Sequence, residues 1–221
     1  MAAKVSEEQV AAVVVDWLES QGYDVYQEVE LSAGGARADI VARRGPELTI
    51  VETKTSASLA LLYQAMERRR NAHRIYIAVP VPAHDMIDIC KELGIGVLRV
   101  RINPEYEQRW NPTRCDEELA SRRWNARPLK LASRLRPEHK TCARAGAPTG
   151  GHFSRWRDTC LQLSRVVAAQ PGITLRSALQ SVTHHYSSGR VALSTMAKHI
   201  REGRVAGVRF EAGGLVPGEV R

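Results

Sequence analysis

Apolar residues recur at Val10, Val13, Val14, Trp17 and Leu18, the i, i+3, i+4, i+7, i+8 spacing of one helix face. The spacing predicts a helix over 6–21, capped by Ser6 and stopped at Gly22. Three short stretches with strand-like patterning follow, at 25–31, 36–43 and 47–54. Turn residues at 32–35 and 44–46 separate them, and such short connections predict an antiparallel meander. A helix over 58–71 comes next, then a strand over 74–79 with Ile75, Ile77 and Val79 on one face. A helix over 83–93, stopped at Gly94, and a strand over 96–102 complete the run. Strands joined through helical crossovers pair in parallel, so this α-β-β-β-α-β-α-β order predicts an α/β domain: a mixed sheet with helices on both faces.

Residues 103–151 lack clear periodicity and carry Pro104, Pro112, Pro128, Pro137 and Pro148, which reads as a basic, Pro-rich linker region. Pattern returns in the third segment, with helices expected at 154–169, 175–182 and 190–202. A hairpin of 205–210 with 215–216, closing on Ala212, Gly213 and Gly214, follows them. Three helices and a two-stranded ribbon make a smaller, mostly helical, winged-helix-like layout. The expected organisation is therefore a first domain over 1–102, a linker over 103–151 and a second domain over 152–221.

Charge separates the two ends. The formal net charge of +8 divides into −2 over residues 1–102 and +10 over 103–221, of which +6 falls in 151–221. Arginine supplies 26 of the 32 basic residues. Guanidinium forks pair with phosphates and stack on bases, so the basic second half points to DNA as a partner. The expected recognition helix, 190–202, presents Arg190, Lys198 and Arg201 among its polar positions, and these are the expected DNA contacts. No apolar run is long enough to span a bilayer and no secretory signal pattern opens the chain, so a cytoplasmic protein without a membrane partner is expected. The 4 cysteines form no Cys-x-x-Cys pair, which argues against a disulfide framework or a zinc ribbon.

The chemistry concentrates on two strands. Asp39 lies in Arg37-Ala38-Asp39-Ile40-Val41, and the next strand ends in Val51-Glu52-Thr53-Lys54. A short hairpin sets Asp39 beside Glu52, and strand alternation puts Glu52 and Lys54 on one face. Two adjacent carboxylates repel, and a hard cation such as Mg²⁺ resolves the conflict. The Thr53 carbonyl is a further candidate ligand, and Lys54 is placed to neutralise charge in a transition state.

Asp39 followed by Glu52-Thr53-Lys54, on a meander after an N-terminal helix, resembles the PD-(D/E)XK nuclease superfamily over about residues 6–102. The resemblance implies a restriction-endonuclease-like fold and Mg²⁺-dependent hydrolysis of DNA phosphodiesters, with Mn²⁺ substituting. It implies Asp39 and Glu52 as metal ligands and Lys54 as the catalytic lysine. Ala38 stands where the family has proline. For the acid that many relatives carry on the first helix, Glu8, Glu19 and the strand residue Glu28 are the candidates, and Glu28 is preferred as a meander neighbour of Asp39. Gln64 matches a glutamine that some subgroups bring to the phosphate, or else lies on a solvated face. Arg37 is a further DNA contact, and Arg68-Arg69-Arg70 is either a phosphate clamp or a solvated helix face. The expected function is a DNA nuclease, an endonuclease in mode, working as a monomer or a homodimer. Its alternatives are a DNA-binding regulator without catalysis and a subunit of a recombination or defence complex.

Overall fold

The computed structural model describes residues 5–31, 36–103, 109, 111–147, 153–211 and 214–218. The turn residues expected at 32–35, the boundary residues 148–151 and the hairpin residues 212–213 lie outside the described residues. The chain divides into two compact units, Met1–Phe153 and Ser154–Arg221.

The first unit is a mixed α/β layer structure. Helix α1 (Glu7–Ser20) precedes strands β1 (Asp24–Glu30), β2 (Arg37–Arg44) and β3 (Glu47–Thr53). Helix α2 (Leu59–Arg68), β4 (Arg74–Val79), α3 (His84–Leu93), β5 (Gly96–Arg101) and β6 (Arg114–Leu119) follow. The six strands lie in sequence order in one sheet. The pairs β1–β2, β2–β3 and β5–β6 are antiparallel, whereas β3–β4 and β4–β5 are parallel. Helices α2 and α3 supply the two crossovers that parallel pairing requires.

Two apolar layers hold this sheet. On one face Val10, Ala11, Val14 and Leu18 of α1 meet Ile40, Val51, Ala78 and Leu98. On the other, Leu61, Leu62 and Ala65 of α2 and Cys90 of α3 meet Val41, Ile50, Ile75, Ile77 and Val97. Helix α1 begins in a capping box: Gln9 N–H donates to Ser6 Oγ at 3.2 Å and Ser6 N–H to Gln9 Oε1 at 2.9 Å. Ser58 caps α2, accepting from Leu61 N–H at 3.2 Å.

The described residues 111–147 belong to the first unit and are not a linker. Their first part forms β6, an edge strand in which Cys115 alone is buried, so its polar sequence carries no strand-like alternation. Their later part runs along β1. Leu131 of helix α4 (Leu129–Ala132) joins the α2-side core. A 3₁₀ turn at Pro137–Lys140 brings Lys140 Nζ to Asp24 at 2.8 Å, and Ala145 N–H donates to Gln27 Oε1 at 2.9 Å.

The second unit contains α5 (Arg155–Ala169), α6 (Leu175–Gln180) and α7 (Gly189–Arg201), then an antiparallel pair, β7 (Val208–Glu211) and β8 (Gly214–Pro217). Ser154, Thr174 and Ser188 cap the three helices. Leu163, Val167, Ala178, Met196, Ile200 and Leu215 form its core. Among the described residues no helix is long and apolar enough to cross a membrane.

Candidate active site

Strand register brings three acids together. The β2–β3 pairing reaches Ile40 opposite Val51, and one step further along both strands stand Asp39 and Glu52. In the β1–β2 pairing Glu28 falls between Gln27–Ile40 and Val29–Ala38, which sets it opposite Asp39. Glu28 leaves strand geometry there, with φ 53. Few residues other than glycine adopt that conformation, at a cost of about 1–3 kcal/mol. The alternation of β1 shifts by one at this kink: Tyr26 faces the α2-side core, and beyond it Val29 and Leu31 face the same core.

Each acid is held by identified partners. Asp39 Oδ2 accepts from the Thr53 N–H at 2.8 Å and from its hydroxyl at 3.1 Å, so Thr53 orients Asp39. Glu52 is only 2% exposed. Its Oε1 accepts from Arg68 Nε at 2.6 Å, while Arg68 Nη2 donates to the Arg37 carbonyl at 2.7 Å. Burial first, and the Asp39 charge second, push the Glu52 carboxyl up to about 7 despite the opposing charges of Arg68 and Lys54. Burial, with the Asp39 charge behind it, also raises the Glu28 carboxyl; Arg37 and the Gly146 N–H work against that rise. Arg37 Nε lies 3.4 Å from Glu28 Oε2.

Lys54 turns to α1. Its Nζ donates to Glu7 Oε1 at 2.5 Å. Burial opposes its charge, but the Glu7 hydrogen bond and the charges of Asp39, Glu7 and Glu52 outweigh burial and hold the ammonium above its ordinary pKa. Glu52 and Lys54 thus engage partners on different helices, not one shared face. Strand β3 ends at Thr53, so two-residue alternation does not govern Lys54.

The segment after the 3₁₀ turn forms one wall of the site. Gly146 N–H donates to Glu28 Oε1 at 3.4 Å, and Gly146 has φ +75. A Cβ at this position would come within 2.7 Å of the Glu7 carbonyl carbon, so only glycine fits between α1 and Glu28.

The structure therefore brings together Asp39, Glu52, Lys54 and Glu28, with Arg37 against Glu28. Gln64 is half-buried and stands one turn before Arg68 on α2, the same helix face. The other helix acids go elsewhere: Glu8 lies 3.5 Å from Arg144, and Glu19 is exposed near the far end of α1. Sequence reasoning missed Glu7 and Gly146. Glu7 was legible only as a first-turn acid beside the Ser6 cap. Arg68 is buried, so the solvated-face alternative does not hold for it. Its four-residue spacing from Gln64 was the available signal.

In the second unit, Arg190, Ser194, Lys198 and Arg201 lie along one side of α7, and all four are exposed. Lys198 Nζ lies 3.8 Å from Glu202, and the Arg201 guanidinium lies 5.5 Å from the Phe210 ring centroid.

Oxygen donors dominate the first site, which suits a hard divalent cation. A cation beside Asp39 and Glu52 would relieve both their repulsion and the burial of Glu52. Among the described residues no three His, Cys, Asp or Glu side chains are grouped to hold a metal ion, so carbonyl, water or phosphate oxygens would complete its shell. No family model matches the chain, and no curated protein matches it. Among solved structures it is similar to the SPO1766 protein of unknown function from Silicibacter pomeroyi. That likeness has 15% identity and a TM-score of 0.42, and covers 60% of this chain and 85% of that one.

Proposed function

We propose that the chain is a Mg²⁺-dependent DNA nuclease of the PD-(D/E)XK kind. In this reading the first unit is restriction-endonuclease-like and hydrolyses a phosphodiester bond. The second is winged-helix-like and holds DNA through the exposed side of α7. The observation that carries the reading is the pairing of Asp39 with buried Glu52, whose carboxyl is pushed up to about 7, beside the ammonium of Lys54. Burying two neighbouring carboxylates is costly unless a cation joins them.

Asp39, Glu52 and the Thr53 carbonyl are the residues that would hold Mg²⁺ or Mn²⁺. The ion supplies Lewis-acid chemistry, drawing charge from a phosphoryl oxygen and making water more acidic. Thr53 fixes the Asp39 carboxylate through two hydrogen bonds. Lys54, kept charged by Glu7, offsets negative charge that grows on the phosphate. Glu28 and Arg37 border the same site and face the incoming backbone.

Plasmid nicking tests the reading. Wild type is expected to nick in Mg²⁺, while Asp39→Ala, Glu52→Ala and Lys54→Ala each abolish nicking and still retain DNA. Nicking that persists in all three variants overturns the assignment.

A second reading, DNA binding without cleavage, is favoured by one observation: Arg68 already occupies Glu52 with a permanent cation. Tight DNA binding by wild type, without nicking in either Mg²⁺ or Mn²⁺, selects that reading.

A further inference from the structure

A cavity opens between the C-terminal end of α1 and the sheet. It has a volume of about 300 Å³, and Trp17, Tyr23, Arg44, Thr49, Tyr76 and Glu117 are among its lining residues. That volume is the lower end of the range for small-molecule sites. Thr49 lies four residues before Thr53 on β3, about 13 Å along the strand, so this cavity is separate from the acids at the strand ends.

Its polar groups leave specific valences open. Thr49 is 2% exposed, yet its hydroxyl has no hydrogen-bond partner. A buried hydroxyl without a partner is unfavourable, and a ligand polar atom satisfies it. Tyr76 donates its hydroxyl to Glu117 Oε1 at 2.6 Å, which leaves Glu117 Oε2 and the second lone pair of Oε1 to accept two adjacent donors. The Tyr76 ring lies over Gly96, where a Cβ would come within 2.3 Å of it, so the ring is fixed in place. Arg44 lies 4.5 Å from the Tyr23 ring centroid and forms no ion pair among the described residues. Arg74, by contrast, is spent on Glu47 at 2.7 Å and the Ser121 carbonyl at 2.8 Å.

The ligand that matches these groups is flat, presents N–H donors on one edge and carries an anion on its outer side. Trp17 and Tyr23 offer aromatic surface for stacking, which accepts any base. Selection then falls to Glu117, which only accepts. Guanine presents the ring N1–H and exocyclic amine side by side to a carboxylate, whereas adenine sets an acceptor beside its amine. Arg44, at the mouth, is placed for a phosphate. We propose that this cavity binds one unstacked guanine base whose phosphate pairs with Arg44. The base belongs either to a free mononucleotide or to a guanine of single-stranded DNA, and the two sources share this recognition chemistry.

Calorimetric titration of the full chain tests the proposal without reference to cleavage. GMP is expected to bind saturably and at least tenfold more tightly than AMP or CMP. Thr49→Val and Glu117→Gln each weaken GMP at least tenfold. Arg44→Ala, at an exposed position, weakens GMP to the level of guanosine. A thymidine oligonucleotide with a single guanine, compared with one that has none, separates the sources: a guanine-dependent gain that GMP competes away assigns DNA, and no gain assigns the free nucleotide. Absence of GMP binding by wild type, or equal affinity for GMP and AMP, overturns the proposal. So does an unchanged GMP affinity in both Arg44→Ala and Glu117→Gln.

Discussion

Arg68 reaches from the last turn of α2 to Glu52 on β3, with 2.6 Å between Nε and Oε1 and exposures of 8% and 2%. Removing one member of such a pair costs more than the pair contributes, because the other charge stays buried without a partner. Arg68→Met is therefore expected to lose about 3–5 kcal/mol in urea unfolding at pH 8, where Glu52 is ionised. At pH 5 Glu52 takes up a proton and the loss shrinks. An equal loss at both pH values is incompatible with this pairing.

Glu52 also sets a pH dependence in metal-free protein. Its folded pKa of about 7 lies above the ordinary value of 4.5. Below pH 4.5 both folded and unfolded carboxyls are protonated, and the contribution to stability is fully present. As pH rises from 4.5 to 7 the unfolded carboxyl releases its proton first, so stability falls, by on the order of 3 kcal/mol. Glu52→Gln removes this component. The difference between wild-type and variant unfolding free energies, followed from pH 4 to 8, is expected to carry this slope, and a flat difference contradicts it.

Much of this site was legible because strand pairing is local. A short connection was enough to expect Asp39 beside Glu52, and the two-residue turn between β2 and β3 sets them opposite each other. Apolar spacing likewise located all the helices and strands up to β5. What escaped depended on distant chain. Gly146 meets Glu28 and Glu7 from across more than a hundred residues, and no pattern near Gly146 announces that contact. Strand β6 was invisible because an edge strand with charged residues buries too little to alternate. Lys54 departed from its expected face because the strand rule stops where β3 stops.

Gly146 gives a direct test of the wall it forms. Gly146→Ala places a methyl group against the Glu7 backbone in a conformation with positive φ. The variant is expected to lose at least about 1 kcal/mol of stability, as unsuitable glycine replacements do. Because Glu7 holds Lys54, Mg²⁺-dependent nicking is expected to fall more steeply than the folded fraction. Nicking that falls only in step with the folded fraction, measured on the same samples by circular dichroism, separates the wall from the chemistry.

The exposed side of α7 predicts a graded salt response. Each phosphate contact on duplex DNA adds about 0.9 to the magnitude of the slope of log K against log salt. Arg190 is exposed and has no ion-pair partner among the described residues, whereas Lys198 lies 3.8 Å from Glu202 and Arg201 lies over Phe210. Arg190→Ala is therefore expected to lower the slope by close to one contact, and Lys198→Ala and Arg201→Ala by less, because their charges are already partly engaged. A chain ending at Phe153 is expected to lose most of the slope, since the net +6 over 151–221 leaves with the second unit. Fluorescence anisotropy with a labelled duplex between 50 and 300 mM salt (concentrations of roughly the range in which such slopes are read) measures wild type and these four altered chains. A truncated chain that keeps the full slope would move the grip to the first unit, where Arg37 then becomes the residue to remove.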